Sequence, residues 1–183
     1  MVFVMKYFKK LVGENVYLSP NSMDDAETYA KWLNDPVVSG YLGMFREIHS
    51  VRGEELALEK MATSGHNYAV VTLEDDRLVG NISLMGVDHI ARNATIALYI
   101  GETGNRGKGF GADALRLILR FGFKTLNLHN IMLFVHEDNA PGIACYKKVG
   151  FKEFGRRRKC EFKNGKYIDL IFMDILSEEF EPE

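Results

Sequence analysis

A glycine-rich stretch, Arg106-Gly-Lys-Gly-Phe-Gly-Ala112 (hereafter the glycine segment), is the part of the sequence best suited to hold a ligand. It lies between a predicted strand at 93–101 and a predicted helix at 112–124. Three glycines in five residues allow the backbone to approach a ligand closely, because no Cβ atom stands in the way. The first N–H groups of a helix have no internal acceptor and, together with the helix dipole, favour an anion. The segment therefore predicts an anion site, with phosphate as the expected group.

Two other phosphate-binding patterns match the glycine segment less well. A P-loop requires a glycine where this chain has Glu102, and Ser or Thr where it has Gly109. The dinucleotide pattern G-x-G-x-x-G/A is matched by Gly107, Gly109 and Ala112, and Glu137 could hold a ribose. That pattern normally follows the first strand of a doubly wound sheet, whereas roughly a hundred residues precede it here. Dinucleotide binding is therefore kept as a distant alternative.

Two motifs in sequence order resemble those of the GNAT acetyltransferases. Arg106, Gly109 and Gly111 match the acyl-CoA pyrophosphate motif Arg/Gln-x-x-Gly-x-Gly/Ala, and 139–151 resembles the later motif N-x-x-A-x-x-x-Y-x-x-x-G-F. One departure is Gly142, where Ala is usual. The likeness runs from about Gly13 to Leu176 and looks closest to the branch of ribosomal-protein N-terminal and spermidine acetyltransferases.

The resemblance implies an α/β (α+β) fold of GNAT type. We expect a mixed, mostly antiparallel central sheet of about seven strands, flanked by helices on both faces. A single acetyltransferase domain would span 1–183, with an N-terminal extension at 1–12 and a frayed acidic tail at 177–183. The strongest short hairpin signal, Asn164-Gly165, joins the last two predicted strands, 152–163 and 166–175.

The resemblance also implies acetyl-CoA as the acetyl donor, and it assigns residues to bind it. A backbone N–H of Tyr99 or a neighbour would polarise the thioester carbonyl, and the hydroxyl of Tyr146 would hydrogen-bond the departing sulfur. Tyr146 is therefore the expected catalytic residue. The expected cofactor-binding residues are Leu98, Tyr99, Ile100, Arg106, Gly107, Lys108, Gly109, Gly111, Ala112 and Asn139.

The implied reaction is direct attack of a primary amine on the thioester. The acceptor is expected to be a protein N-terminus. The alternatives are a small amine, such as spermidine, another polyamine or an amino sugar, and more distantly a non-catalytic acyl-CoA-binding module. The general base stays open, because Thr95 stands where many relatives have Glu. Candidates by residue type alone are Glu47, His49, Asp88, His89 and His136.

Composition excludes several other classes of partner. A formal net charge of −2 gives no general reason to expect nucleic acid, and strand alternation would divide the basic run at 156–159 between two faces. Neither the five histidines nor the two cysteines have metal-site spacing, so no metal is expected. No apolar run approaches membrane length. We therefore expect a cytoplasmic protein, and a homodimer stays open.

The remaining hydrophobic patterns predict the helices and strands around these motifs. An amphipathic helix is predicted from Ser22 up to Asp35-Pro36, followed by an ordered loop at 37–49 and a helix at 54–62. In the GNAT family, which this chain resembles, these two helices and the loop between them form the acceptor side of the active site. Strands are predicted at 16–19, 68–73 and 78–85, and a strand buried on both faces at 131–135. A last helix is expected at 140–149.

Overall fold

One sheet organises the part of the chain that the computed structural model describes, residues 6–63 and 65–181. Its strands lie in the order β1-β2-β3-β4-β5-β6-β8-β7, and every neighbouring pair is antiparallel except β5 and β6. The strands are β1 Leu11–Val12, β2 Val16–Pro20, β3 His66–Thr72, β4 Leu78–Asp88, β5 Asn93–Ile100, β6 Asn130–His136, β7 Lys152–Lys163 and β8 Lys166–Leu176.

Helices cover both faces of this sheet. They are α1 Ala26–Leu33, α2 Pro36–Leu42, α3 Val51–Thr63, α4 Phe110–Arg120, which continues as a π-helical turn at Phe121–Thr125, and α5 Ala140–Val149. The expected mixed, mostly antiparallel sheet with helices on both faces is confirmed. It has eight strands within the described residues rather than about seven, because β1 forms inside the predicted N-terminal extension.

Strand alternation divides the apolar side chains into two cores. In β2, Val16 and Leu18 belong to the core under α4 and α5, whereas Tyr17 between them belongs to the core under α1 and α3. This is the period of two that a pleated strand imposes. All three side chains are almost completely buried. The sheet is therefore held from both sides, and the helices of each face keep fixed positions relative to its strands.

The two central parallel strands are paired along only part of their length. Asn93, Ala94 and Thr95 of β5 lie opposite Asn130, Ile131 and Met132 of β6, and the pairing ends there. Beyond this point β5 continues beside β4 as far as Ile100. In the same way β6 continues beside β8 as far as His136. The two strands therefore separate and leave a wedge open between them.

Three local predictions are wrong. The loop predicted at 37–49 begins instead with helix α2, because the Asp35 side chain accepts from the N–H groups of Val37 and Val38 and Pro36 occupies the first turn. The strand β6 is not buried on both faces along its whole length, since Phe134 is 51% exposed. The tail is not frayed as far as it is described: Phe180 is buried against Phe123, with ring centres 5.6 Å apart.

Parts of two predicted segments cannot be compared with the structure. Residues 1–5 of the predicted extension and residues 182–183 of the predicted tail lie outside the described residues.

A buried carboxylate joins helix α4 to the strand on the opposite side of the core. Asp113 accepts from the N–H groups of Asn15, at 2.7 Å, and of Val16, at 3.0 Å. A Cβ atom on Gly13 would overlap this carboxylate, so only glycine leaves room for it. The contact positions the first turn of α4, which belongs to the glycine segment.

We expect Asp113→Ala to lower the free energy of unfolding by about 2–3 kcal/mol, because the two backbone donors lose a charged acceptor. Urea denaturation followed by circular dichroism measures the change. The exposed carboxylate of Asp24 is the control, and its substitution by alanine should cost at most about 1 kcal/mol. Equal losses in the two variants would contradict the structural role of Asp113.

Candidate functional site

A cleft of about 480 Å³ occupies the wedge between β5 and β6. Its walls come from the end of β5, the glycine segment, α5 and α2. The predicted site residues that line it are Leu98, Tyr99, Ile100, Arg106, Gly107, Gly109, Gly111, Ala112, Asn139 and Tyr146. Lys108 is a predicted site residue that does not line this cleft. It lines a neighbouring cavity of about 370 Å³ together with Arg77 and Glu74.

The glycine segment has the backbone conformation of an anion site. Gly107 and Gly109 have φ of 75° and 86°, a left-handed region that glycine adopts without strain. Gly109 precedes α4, so the N–H groups at Phe110, Gly111 and Ala112 have no acceptor within the helix. A Cβ on Gly111 would lie 3.6 Å from Leu98, an ordinary contact. Alanine would fit there, whereas a longer side chain would enter the cleft.

The free backbone groups of β5 belong to Leu98 and Ile100, not to Tyr99. The N–H of Gly101 donates to the carbonyl of Val79 on β4 at 2.9 Å. Alternate residues of an antiparallel strand turn their polar groups to the same neighbour, so Tyr99 also bonds β4. The expectation that the N–H of Tyr99 or of a neighbour polarises the thioester therefore narrows to the neighbours Leu98 and Ile100. The backbone N–H and C=O groups of Leu98 and Ile100 point to the side on which β5 is no longer paired with β6.

Tyr146 lies in the cleft wall with a free hydroxyl. Its ring packs against Phe151, with centres 6.0 Å apart, and the residue is 9% exposed. No residue of the described chain accepts from or donates to the hydroxyl. Burial raises the pKa of Tyr146 well above its usual value, since the phenolate would lose its hydration. The phenol therefore stays protonated and can act as a hydrogen-bond donor.

Gly142, the position at which the motif has Ala, lies directly against the side chain of Asn139. Its side-chain oxygen accepts from the N–H of Gly142 at 3.0 Å and caps the start of α5. A Cβ on Gly142 would lie 2.6 Å from the side-chain nitrogen of Asn139. The departure from the motif therefore accompanies a close side-chain cap at the cleft.

Several lining residues were missed from the sequence. Val38, Tyr41 and Leu42 of α2 form one wall of the cleft. The combination Asp35-Pro36 is also a helix-start signal and could have revealed this helix. Asn105 is a second omission: it lines the cleft, and its side-chain oxygen accepts from Arg77 at 3.0 Å. No local pattern marks Asn105, because its partner lies far away in the sequence.

None of the five residues considered as general base lines the cleft. His136 is buried, with its Nδ1 3.2 Å from the carbonyl oxygen of Gly40. His49 is bonded through its Nδ1 to Glu54 at 2.9 Å. Asp88 accepts from two backbone N–H groups of a turn that also contains His89. Glu47 is the remaining candidate, and its carboxylate lies 3.6 Å from His49.

The charged side chains that line the cleft are both positive. Arg106 and Lys148 contribute to it, whereas the lining within the described chain includes no Asp or Glu. A positive cleft beside free N–H groups favours an anionic ligand.

Two further findings concern residues 6–63 and 65–181. No three His, Cys, Asp or Glu side chains come together there as a metal site would require. None of the helices in this part of the chain is long and apolar enough to cross a membrane.

Several proteins named as acetyltransferases resemble this chain in sequence and in fold. The spermidine N(1)-acetyltransferase of Vibrio cholerae serotype O1 is 31% identical over 149 residues, which cover 81% of this chain and 80% of that protein. A crystal structure of the Vibrio cholerae enzyme with CoA and spermine has a TM-score of 0.78 and 27% identity, covering 90% of this chain and 96% of that one. A dodecameric structure of spermidine N-acetyltransferase from Vibrio cholerae has a TM-score of 0.73 and 26% identity, covering 89% of this chain and 94% of that one.

A second solved structure with a similar fold contains a CoA compound. RimJ of Mycobacterium smegmatis, in complex with CoA-disulfide, has a TM-score of 0.75 and 26% identity, covering 90% of this chain and 83% of that one. Residues 15–152 match the family model described as an acetyltransferase (GNAT) domain. Because this match spans most of the chain, the protein belongs to the GNAT family of acetyltransferases, whose acetyl donor is acetyl-CoA.

Proposed function

We propose that this protein transfers the acetyl group of acetyl-CoA to a primary amine, and that the transfer takes place in the cleft between β5 and β6. The observation that carries the proposal is the convergence of free N–H groups, a free phenol and positive charge on one cleft. The free N–H groups suit the pyrophosphate and the amides of the pantetheine arm. The positive charge suits the pyrophosphate, and the phenol suits the sulfur of the thioester.

The cleft suits the shape and charge of CoA. The N–H groups of Phe110, Gly111 and Ala112 would hold pyrophosphate oxygens, with the α4 dipole favouring their charge. Leu98 and Ile100 would pair with the amides of the pantetheine arm as a neighbouring strand does. When bound, acetyl-CoA supplies the activated acetyl group, a thioester that an amine can attack.

Two groups of the chain would act on the reacting atoms. An N–H of Leu98 or Ile100 would donate to the carbonyl oxygen as negative charge grows on it, and such donors are commonly the largest catalytic contribution. The Tyr146 hydroxyl would donate to the sulfur as it takes up the electron pair of the broken bond. Its high pKa keeps the proton in place before the reaction. The proton on the attacking nitrogen must leave separately, through a water molecule or the solvent.

The cleft favours a protein N-terminus as the acceptor. A polyamine carries several positive charges, whereas the charged residues in the described lining are Arg106 and Lys148. An α-amine with a pKa near 8 is about 10% neutral at pH 7, compared with about 0.04% for an alkyl amine, so it needs less help from a base. That matters here because no candidate base lines the cleft.

A small amine is the second candidate, and the relatives favour it. The Vibrio cholerae enzyme, 31% identical to this chain, is a spermidine N(1)-acetyltransferase. A screen of N-terminal peptides, polyamines and amino sugars, followed by release of CoA thiol, separates the two. Turnover of peptides alone supports the first candidate, and turnover of spermidine alone supports the second.

We also propose a cytoplasmic location, which the free thiols of Cys145 and Cys160 support. A homodimer stays a prediction, which sedimentation velocity would test.

We expect acetyl-CoA to bind with micromolar affinity and NAD and ATP to bind much more weakly. Titration calorimetry with each ligand provides the comparison. If NAD binds more tightly than acetyl-CoA, the result would contradict the proposed function and favour dinucleotide binding.

Gly109→Asp and Gly111→Asp should each abolish binding of CoA while the protein stays folded. The new side chain occupies the space of the ligand and brings negative charge to its phosphates. The matched control is Gly111→Ala, whose methyl group meets only ordinary contacts. Calorimetry and melting curves are measured together. Undiminished affinity in both folded aspartate variants would remove the glycine segment from the site.

Tyr146→Phe should lower kcat by about 10²–10⁴-fold while the affinity for acetyl-CoA changes little. The ring and its packing against Phe151 stay, and only the hydroxyl is lost. The loss belongs to kcat because the hydrogen bond strengthens as charge grows on sulfur. Steady-state kinetics with an acceptor from the screen provides the test. Equal turnover by the two proteins would show that the hydroxyl has no catalytic role.

A further inference from the structure

Tyr41 of α2 contacts two cations that come from other parts of the chain. Its ring centre is 5.7 Å from the guanidinium carbon of Arg106 and 5.5 Å from Nζ of Lys163. Arg106 belongs to the glycine segment and Lys163 to the end of β7. Cations within about 6 Å of an aromatic ring are attracted to its π face. Tyr41 itself lines the cleft, as Arg106 does.

The guanidinium of Arg106 has the neutral aromatic ring of Tyr41 beside it. No carboxylate of the described residues forms an ion pair with its guanidinium, and its backbone N–H bonds Thr103 at 3.1 Å. A long cationic side chain without partners would sample many rotamers. The ring of Tyr41 restricts that freedom while leaving the guanidinium donors available to a ligand.

The position of Tyr41 is fixed by the groups that cap the end of α2. The N–H groups of Gly43 and Met44 both bond the carbonyl of Ser39, so the carbonyl of Gly40 has no partner in the helix. Lys163 Nζ donates to this carbonyl at 2.8 Å, and His136 Nδ1 lies 3.2 Å from it. Positive charge at a helix C-terminus is favourable.

The capping group Lys163 is itself held in place. It is a buried lysine whose Nζ also donates to Asp138 at 2.9 Å. Lys163 therefore joins three elements: α2, the hairpin of β7 and β8, and the turn before α5. This arrangement gives the ring of Tyr41 a defined place from which it can hold Arg106.

We propose that Tyr41 is a positioning residue that holds the Arg106 guanidinium at the cleft, ready for the pyrophosphate of CoA. The inference rests on the proposed use of acetyl-CoA and adds a requirement to it. Affinity for donors that carry the pyrophosphate depends on the π face of Tyr41, whereas affinity for pantetheine does not. A residue of the α2 wall thereby contributes to selection of the donor.

The test compares Tyr41→Leu with Tyr41→Phe, because phenylalanine keeps the π face and leucine removes it. Calorimetry measures CoA, and ligand-observed NMR measures pantetheine. Tyr41→Leu should weaken CoA binding by about 3- to 30-fold, the range expected for one cation–π contact. Tyr41→Phe should stay within about twofold of wild type, and pantetheine binding should be unchanged in both. The control is Val37→Ala at an exposed position of the same helix, which should leave CoA affinity unchanged.

A double-mutant cycle isolates the contact itself. In an Arg106→Gln background, Tyr41→Leu should have no further effect on CoA affinity, because the two residues act together. If Tyr41→Leu gives no cooperative melting transition, Tyr41→Met replaces it, since methionine fills a similar volume without a π face.

Four results would overturn the inference. They are unchanged CoA affinity in Tyr41→Leu, an equal loss in Tyr41→Phe, an equal loss of pantetheine binding, and additive effects in the cycle. The second and third would show that Tyr41 acts through its hydroxyl or by shaping the wall. A wild-type protein that does not bind CoA would overturn the proposed function together with this inference. Normal binding by wild type with any of the four results overturns the inference alone.

Discussion

The parallel ladder between β5 and β6 ends after three residue pairs, and the cleft exists because it ends there. A strand edge inside a sheet would normally be paired, since free N–H and C=O groups attract other strands. Here the groups of Leu98 and Ile100 stay free and face the cleft. Helix α4 starts beside this opening, so its first N–H groups point into the same space. The free groups of β5 and the first N–H groups of α4 therefore belong to the lining of one cleft.

The two cores hold the walls of this opening from opposite sides. Under α1, Trp32 packs so closely on Gly101 that a Cβ there would overlap the indole, which fixes the end of β5. Under α4, Asp113 bonds the backbone at β2 and fixes the start of the glycine segment. The wall formed by α2 is held differently, through Lys163 and His136 at its last turn. Rigid support on both sides suits a site whose donors must be placed before the ligand arrives.

Prediction from the sequence was most successful where a backbone conformation requires glycine. The glycine segment lies at the cleft, and two of its glycines have left-handed φ angles that leave few alternatives to glycine. Prediction fails where one signal has two meanings, because Asp35-Pro36 indicates the end of one helix and the same pair also begins α2. It failed also at Phe134, because an apolar run does not reveal that one face of the strand is uncovered.

The sequence by itself determined most of the helices and strands, the glycine segment and the GNAT family, because each of these depends on neighbours along the chain. Tertiary structure decided which N–H groups of β5 are free, since strand register directs Tyr99 to β4 and Leu98 and Ile100 to the cleft. It also decided that Tyr41, Arg106 and Lys163 meet, although they are far apart in sequence. Such contacts have no local pattern, because their spacing is set by packing of the whole sheet and not by the geometry of any single element.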